Sequence, residues 1–210
     1  MGSMHSFTHW FLYFQQWNHK LFKFLNLTLL KSISNLSDLS YLHISGTNNN
    51  DNIASLPKGI ILNLTSLYSL IIGRFSNLQA LPKDMFNGIT TLEALAIEFY
   101  LLLKCLWEGI FQNYCHLKHI TIKGCKTLNF FYLKVFKTSF PFNLWSLKDC
   151  PELKSFPYSL NHLSSLINLS MLGQSFSLSA NIFIIYTDQH IQQLTNLKKL
   201  TIEDCPQLKK

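Results

Sequence analysis

The chain has 210 residues, a hydrophobic share of 48%, a charged share of 14% and a formal charge of +7. That length buries a real core in one sizeable domain or two small ones, and the composition excludes the polar, highly charged class of disordered chains. Lysine is dispersed apart from Lys198, Lys199, Lys209 and Lys210, so the positive charge reads as solvated surface rather than a nucleic-acid-binding stripe.

Residues 1–30 are rich in aromatics, among them Phe7, Trp10, Phe11, Tyr13, Phe14 and Trp17. The segment has no basic n-region and no small-residue cleavage site, so it is a poor secretory signal. "FTHWFLYF" here and "ANIFIIY" at 180–186 both fall short of the roughly 20 apolar residues that cross a bilayer, and no membrane segment is expected. Leu21, Phe24, Leu27 and Leu30 keep a three-residue spacing. Two readings stand for 1–30: a degenerate N-terminal coil or cap, or sequence outside the fold.

From 31 to 210 one frame, L-x-x-L-x-I, recurs. It falls on Leu39/Leu42/Ile44, Leu67/Leu70/Ile72, Leu92/Leu95/Ile97, Leu117/Ile120/Ile122, Phe142/Trp145/Leu147, Leu166/Leu169/Met171 and Leu197/Leu200/Ile202. The starts are 28, 25, 25, 25, 24 and 31 residues apart. Three residues past each frame lies a slot holding Thr47, Phe75, Tyr100, Cys125, Cys150, Gln174 and Cys205. Three further on come Leu78, Leu103, Leu128, Leu153 and Leu208, and a second ridge follows at Leu56, Leu81, Leu106, Phe131 and Phe156. Pro57, Pro82 and Pro157 come directly after that ridge.

The alternation x-L-x-I is the period-two pattern of a short strand with one buried face. A single coil cannot bury its own apolar ridge, whereas stacked coils bury each other's. The expected fold class is therefore an α/β solenoid of about seven to eight coils of ~25 residues, with a parallel β-sheet on the concave face and irregular segments on the convex face. The long sixth interval predicts an irregular insertion at 173–190 that breaks the ladder. The final coil reads as truncated after Leu208.

The frame L-x-x-L-x-I-x-x-C-x-x-L-x-x-L-P resembles the leucine-rich repeat. More narrowly, "NLTSLYSLIIGRFSNLQALPKDMFNGITTLEALAI" (63–97) and "LKKLTIEDCPQLKK" resemble the C-terminal repeat arrays of plant intracellular nucleotide-binding, leucine-rich-repeat (NBS-LRR) disease-resistance proteins. The resemblance implies a horseshoe-shaped array with a cytoplasmic location and a nucleotide-binding switch domain upstream. It implies protein partners: a pathogen-derived or guarded host protein, or the switch domain itself. No G-x-x-x-x-G-K-[ST] loop occurs in the chain, no cofactor is expected, and the chain reads as a fragment or shortened relative of such a receptor.

The chemistry-bearing residues fit the repeat. Cys125, Cys150 and Cys205 share one slot, where the resemblance implies a bond from the side chain to the neighbouring coil's backbone. Parallel Cβ vectors disfavour a Cys125–Cys150 disulfide, and reduced thiols suit a cytosolic compartment. Cys105 and Cys115 lack zinc spacing, so no metal is expected. The sequons at Asn26, Asn35, Asn63 and Asn168 arise largely from repetition of "NLS" and "NLT". No His has a nucleophile or carboxylate in a recognisable catalytic arrangement, and Glu93 with Glu98 reads as surface charge, so no enzyme is expected.

Phase places a candidate partner-binding set on the concave face: Tyr41, His43, Tyr68, Glu93, Glu98, Lys118, His119, Lys123, Lys148, Lys198 and Lys199. Ser45, Ser69 and Ser146 are expected to face outward with them. Aromatic and acidic residues come first along the chain and basic ones in the middle, a mixture that suits a protein rather than a phosphate backbone. The expected function is non-catalytic protein recognition, in plant defence by the resemblance. A generic scaffold without an immune role and a secreted receptor ectodomain are the alternatives.

Overall fold

A computed structural model of the chain describes residues 36–46, 53–56, 59–82, 84–106, 116–131, 142–153, 163–174 and 194–205. Among these residues nine strands form: β1 (Tyr41–Ser45), β2 (Ser69–Gly73), β3 (Ala94–Glu98), β4 (Cys105–Leu106), β5 (His119–Lys123), β6 (Phe130–Phe131), β7 (Leu144–Lys148), β8 (Asn168–Leu172) and β9 (Lys199–Glu203). Seven build one sheet in the order β1-β2-β3-β5-β7-β8-β9, and every neighbouring pair is parallel.

The repeat frame becomes register. Leu42, Leu70, Leu95, Ile120, Trp145, Leu169 and Leu200 stand opposite one another across the sheet, as do Ile44, Ile72, Ile97, Ile122, Leu147, Met171 and Ile202. Apart from the two in β9, these residues are buried, together with the preceding apolar positions Leu64, Ile89, Leu163 and Leu194. Leu78, Leu103, Leu128, Leu153, Leu56, Leu81 and Leu106 close the core from the other side. A parallel strand needs a long return, and among the described residues the returns carry the ridge side chains Leu56, Leu81 and Leu106 inward.

In the return between Leu81 and β3 the backbone runs in successive turns: Met85 N–H donates to Pro82 O, Asn87 N–H to Asp84 O and Ile89 N–H to Phe86 O. No helix occurs among the described residues. The returning side is nonetheless more regular than expected, because β4 and β6 pair in a short parallel ladder, Cys105↔Phe130 and Leu106↔Phe131.

The recurring G-C and D-C phrases have a backbone cause. The residue after each strand from β2 onward in the main sheet has a left-handed conformation: Arg74 (φ 62°), Phe99 (56°), Gly124 (64°), Asp149 (53°), Gly173 (61°) and Asp204 (52°). This turn drops the next side chain into the core, and Phe75, Tyr100, Cys125, Cys150, Gln174 and Cys205 are all buried there. Glycine adopts it freely and Asp tolerates it, whereas Arg74 and Phe99 carry a cost of roughly 1–2 kcal/mol each. Cys125, Cys150 and Cys205 form no disulfide among the described residues. Cys125 Sγ donates to Lys123 O at 3.6 Å and to Ile97 O of the preceding coil at 3.9 Å; Cys150 and Cys205 repeat the pattern on Ile122 and Met171.

Three expectations are corrected. The long sixth interval does not break the ladder: β8 and β9 pair in full register, Asn168↔Lys199 through Leu172↔Glu203, because the surplus residues lie between the strands. Of the expected insertion, 175–190 lies outside the described residues, as do 1–30, Thr47, Pro57, Pro157 and Leu208. Leu200 keeps the core register but is 43% exposed, since β9 is the last strand and no further described coil covers its outer side. Ser45, Ser69 and Ser146 are buried rather than presented; phase gives a side chain its direction, whereas exposure also needs the length to reach past its neighbours, which serine lacks.

Candidate functional site

The sheet face opposite the core carries every predicted partner-binding residue, sorted by register into rows. The first row lies one residue before the strands. Backbone bonds from Glu93 N–H to Tyr68 O, from Lys118 N–H to Glu93 O and from Asn143 N–H to Lys118 O extend the ladder there. It aligns Tyr68, Glu93 and Lys118, with exposed Lys198 in the last coil. Lys118 Nζ lies 2.8 Å from Glu93 Oε2, so acid and base 25 residues apart in sequence form an ion pair across adjacent coils.

The Glu93 hydrogen bond holds the Lys118 ammonium above its ordinary pKa. Burial first, then the Glu93 carboxylate, pushes the Tyr68 phenol up. Tyr68 is 40% exposed, a large aromatic presented at the margin.

Within the sheet, half-buried Tyr41 and His119 share a row with exposed Lys199. Burial lowers the His119 pKa, against the pull of Glu93. Burial and Glu98 raise that of Tyr41. The middle row contains His43, Ile71, Ala96, Thr121, Ser146, Ser170 and Thr201. It has small side chains at its centre and no carboxylate or ammonium.

The last strand row aligns Gly73, Glu98, Lys123 and Lys148. Gly73 is required by close approach, since a Cβ there would run into the Glu98 carbonyl. Burial raises the Glu98 pKa, while Lys123 and Arg74 oppose the rise. Beyond the row, the Arg74 guanidinium and the Lys123 ammonium both lie over the Phe99 ring, at 5.4 Å and 5.0 Å from its centroid. The sequence reading missed Arg74 and Phe99. The signal lay in Gly124, Asp149, Gly173 and Asp204, which mark a left-handed position that Arg74 and Phe99 also occupy.

Glu93, one residue before β3, and Glu98, its last residue, stand about 17 Å apart at ~3.3 Å per residue, too far to share a glycosidic bond. Among the described residues no group of three or more His, Cys, Asp or Glu side chains is placed to hold a metal ion, and no helix is long and apolar enough to cross a membrane.

No protein-family model matches the chain, and no curated protein matches it. Solved structures do. The chain superposes on TLR13 from its complex with ssRNA13 with a TM-score of 0.55 at 18% identity, covering 87% of this chain and 28% of that one. An internalin (inlF) from Listeria monocytogenes gives a TM-score of 0.42 at 17% identity, covering 90% of this chain and 54% of that one. The leucine-rich repeat domain of the type III effector XCV3220 (XopL) gives 0.45 at 20% identity, covering 85% and 72%. The chain thus spans about a quarter of TLR13 and about half of the internalin. The fold is a leucine-rich-repeat solenoid.

Proposed function

We propose that this chain is a non-catalytic protein-recognition array whose open sheet face docks a protein partner. The observation that carries the reading is the seven-stranded, in-register sheet with one face sealed into the core. Its other face presents tyrosine, histidine, lysine and glutamate side chains on a preformed backbone. Such a surface binds without prior ordering, which lowers the entropic cost of association. The mixed charge favours a protein over RNA: Glu93 neutralises Lys118, and Glu98 stands between Arg74 and Lys123.

In the finer reading the array belongs to a plant NBS-LRR disease-resistance protein and acts in the cytoplasm in defence. It senses a pathogen-derived or guarded host protein, or holds a switch domain inactive. The repeat style of 63–97 and of the closing LKKLTIEDCPQLKK supports this.

The test is cross-linked capture from plant tissue with wild type and with Tyr68→Ala, Lys118→Glu and Lys104→Glu variants. Tyr68→Ala and Lys118→Glu are expected to lose the partner, while Lys104→Glu, away from the sheet, retains it. A partner held equally by all three refutes the open-face reading. A nucleotide-binding domain encoded immediately upstream of Met1 supports the immune reading; glycan mass on the native protein would move the chain to a secreted receptor.

A further inference from the structure

We infer that the margin formed by Arg74, Phe99, Lys123 and Lys148 docks the carboxylate side chains of an acidic peptide segment on the partner. The inference rests on the protein-recognition reading above and assigns that face its polarity. Lys123 and Lys148 stand directly opposite each other in register on β5 and β7. Like charges in that position repel, so the pair is a standing cost to the fold. On the other side of Lys148 the register partner is Leu172. Among the described residues the one ion pair within 4.0 Å is Lys118–Glu93, so Arg74, Lys123 and Lys148 have no salt-bridged carboxylate.

The nearest acids do not remedy this. A Cβ on Gly173 would meet Asp149 Oδ1 at 2.5 Å, so the Asp149 carboxylate lies over β8's exit, turned away from Lys123. Glu98 is a single half-buried carboxylate beside Arg74 and Lys123. The cluster retains an excess of positive charge.

Phe99 supplies an independent observation. It is a bulky side chain held at φ 56°, where four of the five other coils place Gly or Asp and the remaining one places Arg74. Such a conformation persists only when the surroundings impose it, and it concentrates at functional positions. Its ring lies across Gly124, leaving no room for a Cβ there: that atom would fall 2.6 Å from Phe99 Cδ1. From that seat the ring holds both cations against its faces. Phe99 is therefore a positioning residue, orienting a guanidinium and an ammonium toward an incoming anion. A peptide fits better than a nucleic acid strand because the cations form one cluster: the same row continues to Leu172 and Glu203 on one side and to Gly73 and Ser45 on the other.

Fluorescence anisotropy of labelled hexaglutamate, hexalysine and a single-stranded RNA oligonucleotide at low salt tests the assignment. Hexaglutamate is expected to bind, with salt weakening it and hexalysine failing to bind. Lys123→Glu and Lys148→Glu should each weaken it about tenfold, with Lys104→Glu as the charge-matched control at wild-type affinity. Phe99→Gly should weaken binding without lowering Tm, and Phe99→Tyr should preserve both, a pattern a purely structural ring would not give. Equal weakening by Lys104→Glu, indifference to the margin variants, tighter binding of RNA, or no hexaglutamate binding overturns the inference. Partner capture that survives Lys123→Glu and Lys148→Glu but fails with Tyr68→Ala overturns it while leaving the recognition reading standing.

Discussion

Tyr100 is the perturbation most sharply specified by the structure. Its side chain is fully buried in the slot after β3, and its hydroxyl has no hydrogen-bond partner among the described residues. A buried polar group without a partner costs about 1–3 kcal/mol. The preceding coil shows the remedy, because Phe75 occupies the same slot, with its ring 6.1 Å from that of Tyr100. Tyr100→Phe deletes only the hydroxyl, so it is expected to raise stability by about 1–3 kcal/mol, or about 2–12 °C in Tm for a chain of this size.

The same residue predicts an alkaline signature. Burial first, then the neighbouring Cys125, pushes the Tyr100 phenol well above its ordinary pKa of 10.0. The unfolded chain releases that proton near the ordinary value while the native state holds it. Above that pH the native state therefore binds more protons, and stability falls as pH rises. Tyr100→Phe removes this loss, so its advantage should grow between neutral pH and about pH 11. Urea and thermal unfolding followed by circular dichroism at both ends of that range measure it. A variant less stable than wild type, or an advantage that does not grow, would refute the account of a sealed, unpartnered hydroxyl.

Leu70 and Leu95 are 0% and 2% exposed in the central column of the core. Leu70→Ala and Leu95→Ala should each lose about 2–5 kcal/mol in urea unfolding, and a loss below about 1 kcal/mol would show that the column is not packed. Glu98 gives a pH effect. Burial raises its pKa above the ordinary 4.5, so the native state holds the proton longer and stability falls as pH rises through the window above 4.5. Glu98→Gln should raise Tm near neutral pH and leave it unchanged in acid below the ordinary value; destabilisation at neutral pH would mean that Arg74 and Lys123 dominate. Cys125 and Cys150 are fully buried, whereas Cys105 is half-exposed. Iodoacetamide mapping by mass spectrometry should therefore modify Cys105 in the native protein and the two slot cysteines only as it unfolds; early labelling of Cys125 would contradict the stacked slot.

The stacked coils, the sheet register and the buried side of each strand were legible in the sequence because they are periodic. Leu42, Leu70, Leu95 and Ile120 recur at nearly constant spacing, and period-two alternation aims each of them to the same side. The open-face residues followed from the same phase, since a side chain not aimed at the core of a strand faces away from it. The phase carries direction only.

What covers a side chain, and what it meets, depends on the coils beside it. Those neighbours are about 25 residues away in the chain and adjacent only after stacking. So Leu200 keeps its inward aim yet stays exposed at the last strand, while Ser45, Ser69 and Ser146 are aimed outward and buried. The Glu93–Lys118 ion pair and the Arg74–Phe99–Lys123 cluster likewise join groups from different coils. An ion pair or a cation over a ring needs its groups within about 4–6 Å, so these contacts exist only where tertiary structure places the coils side by side.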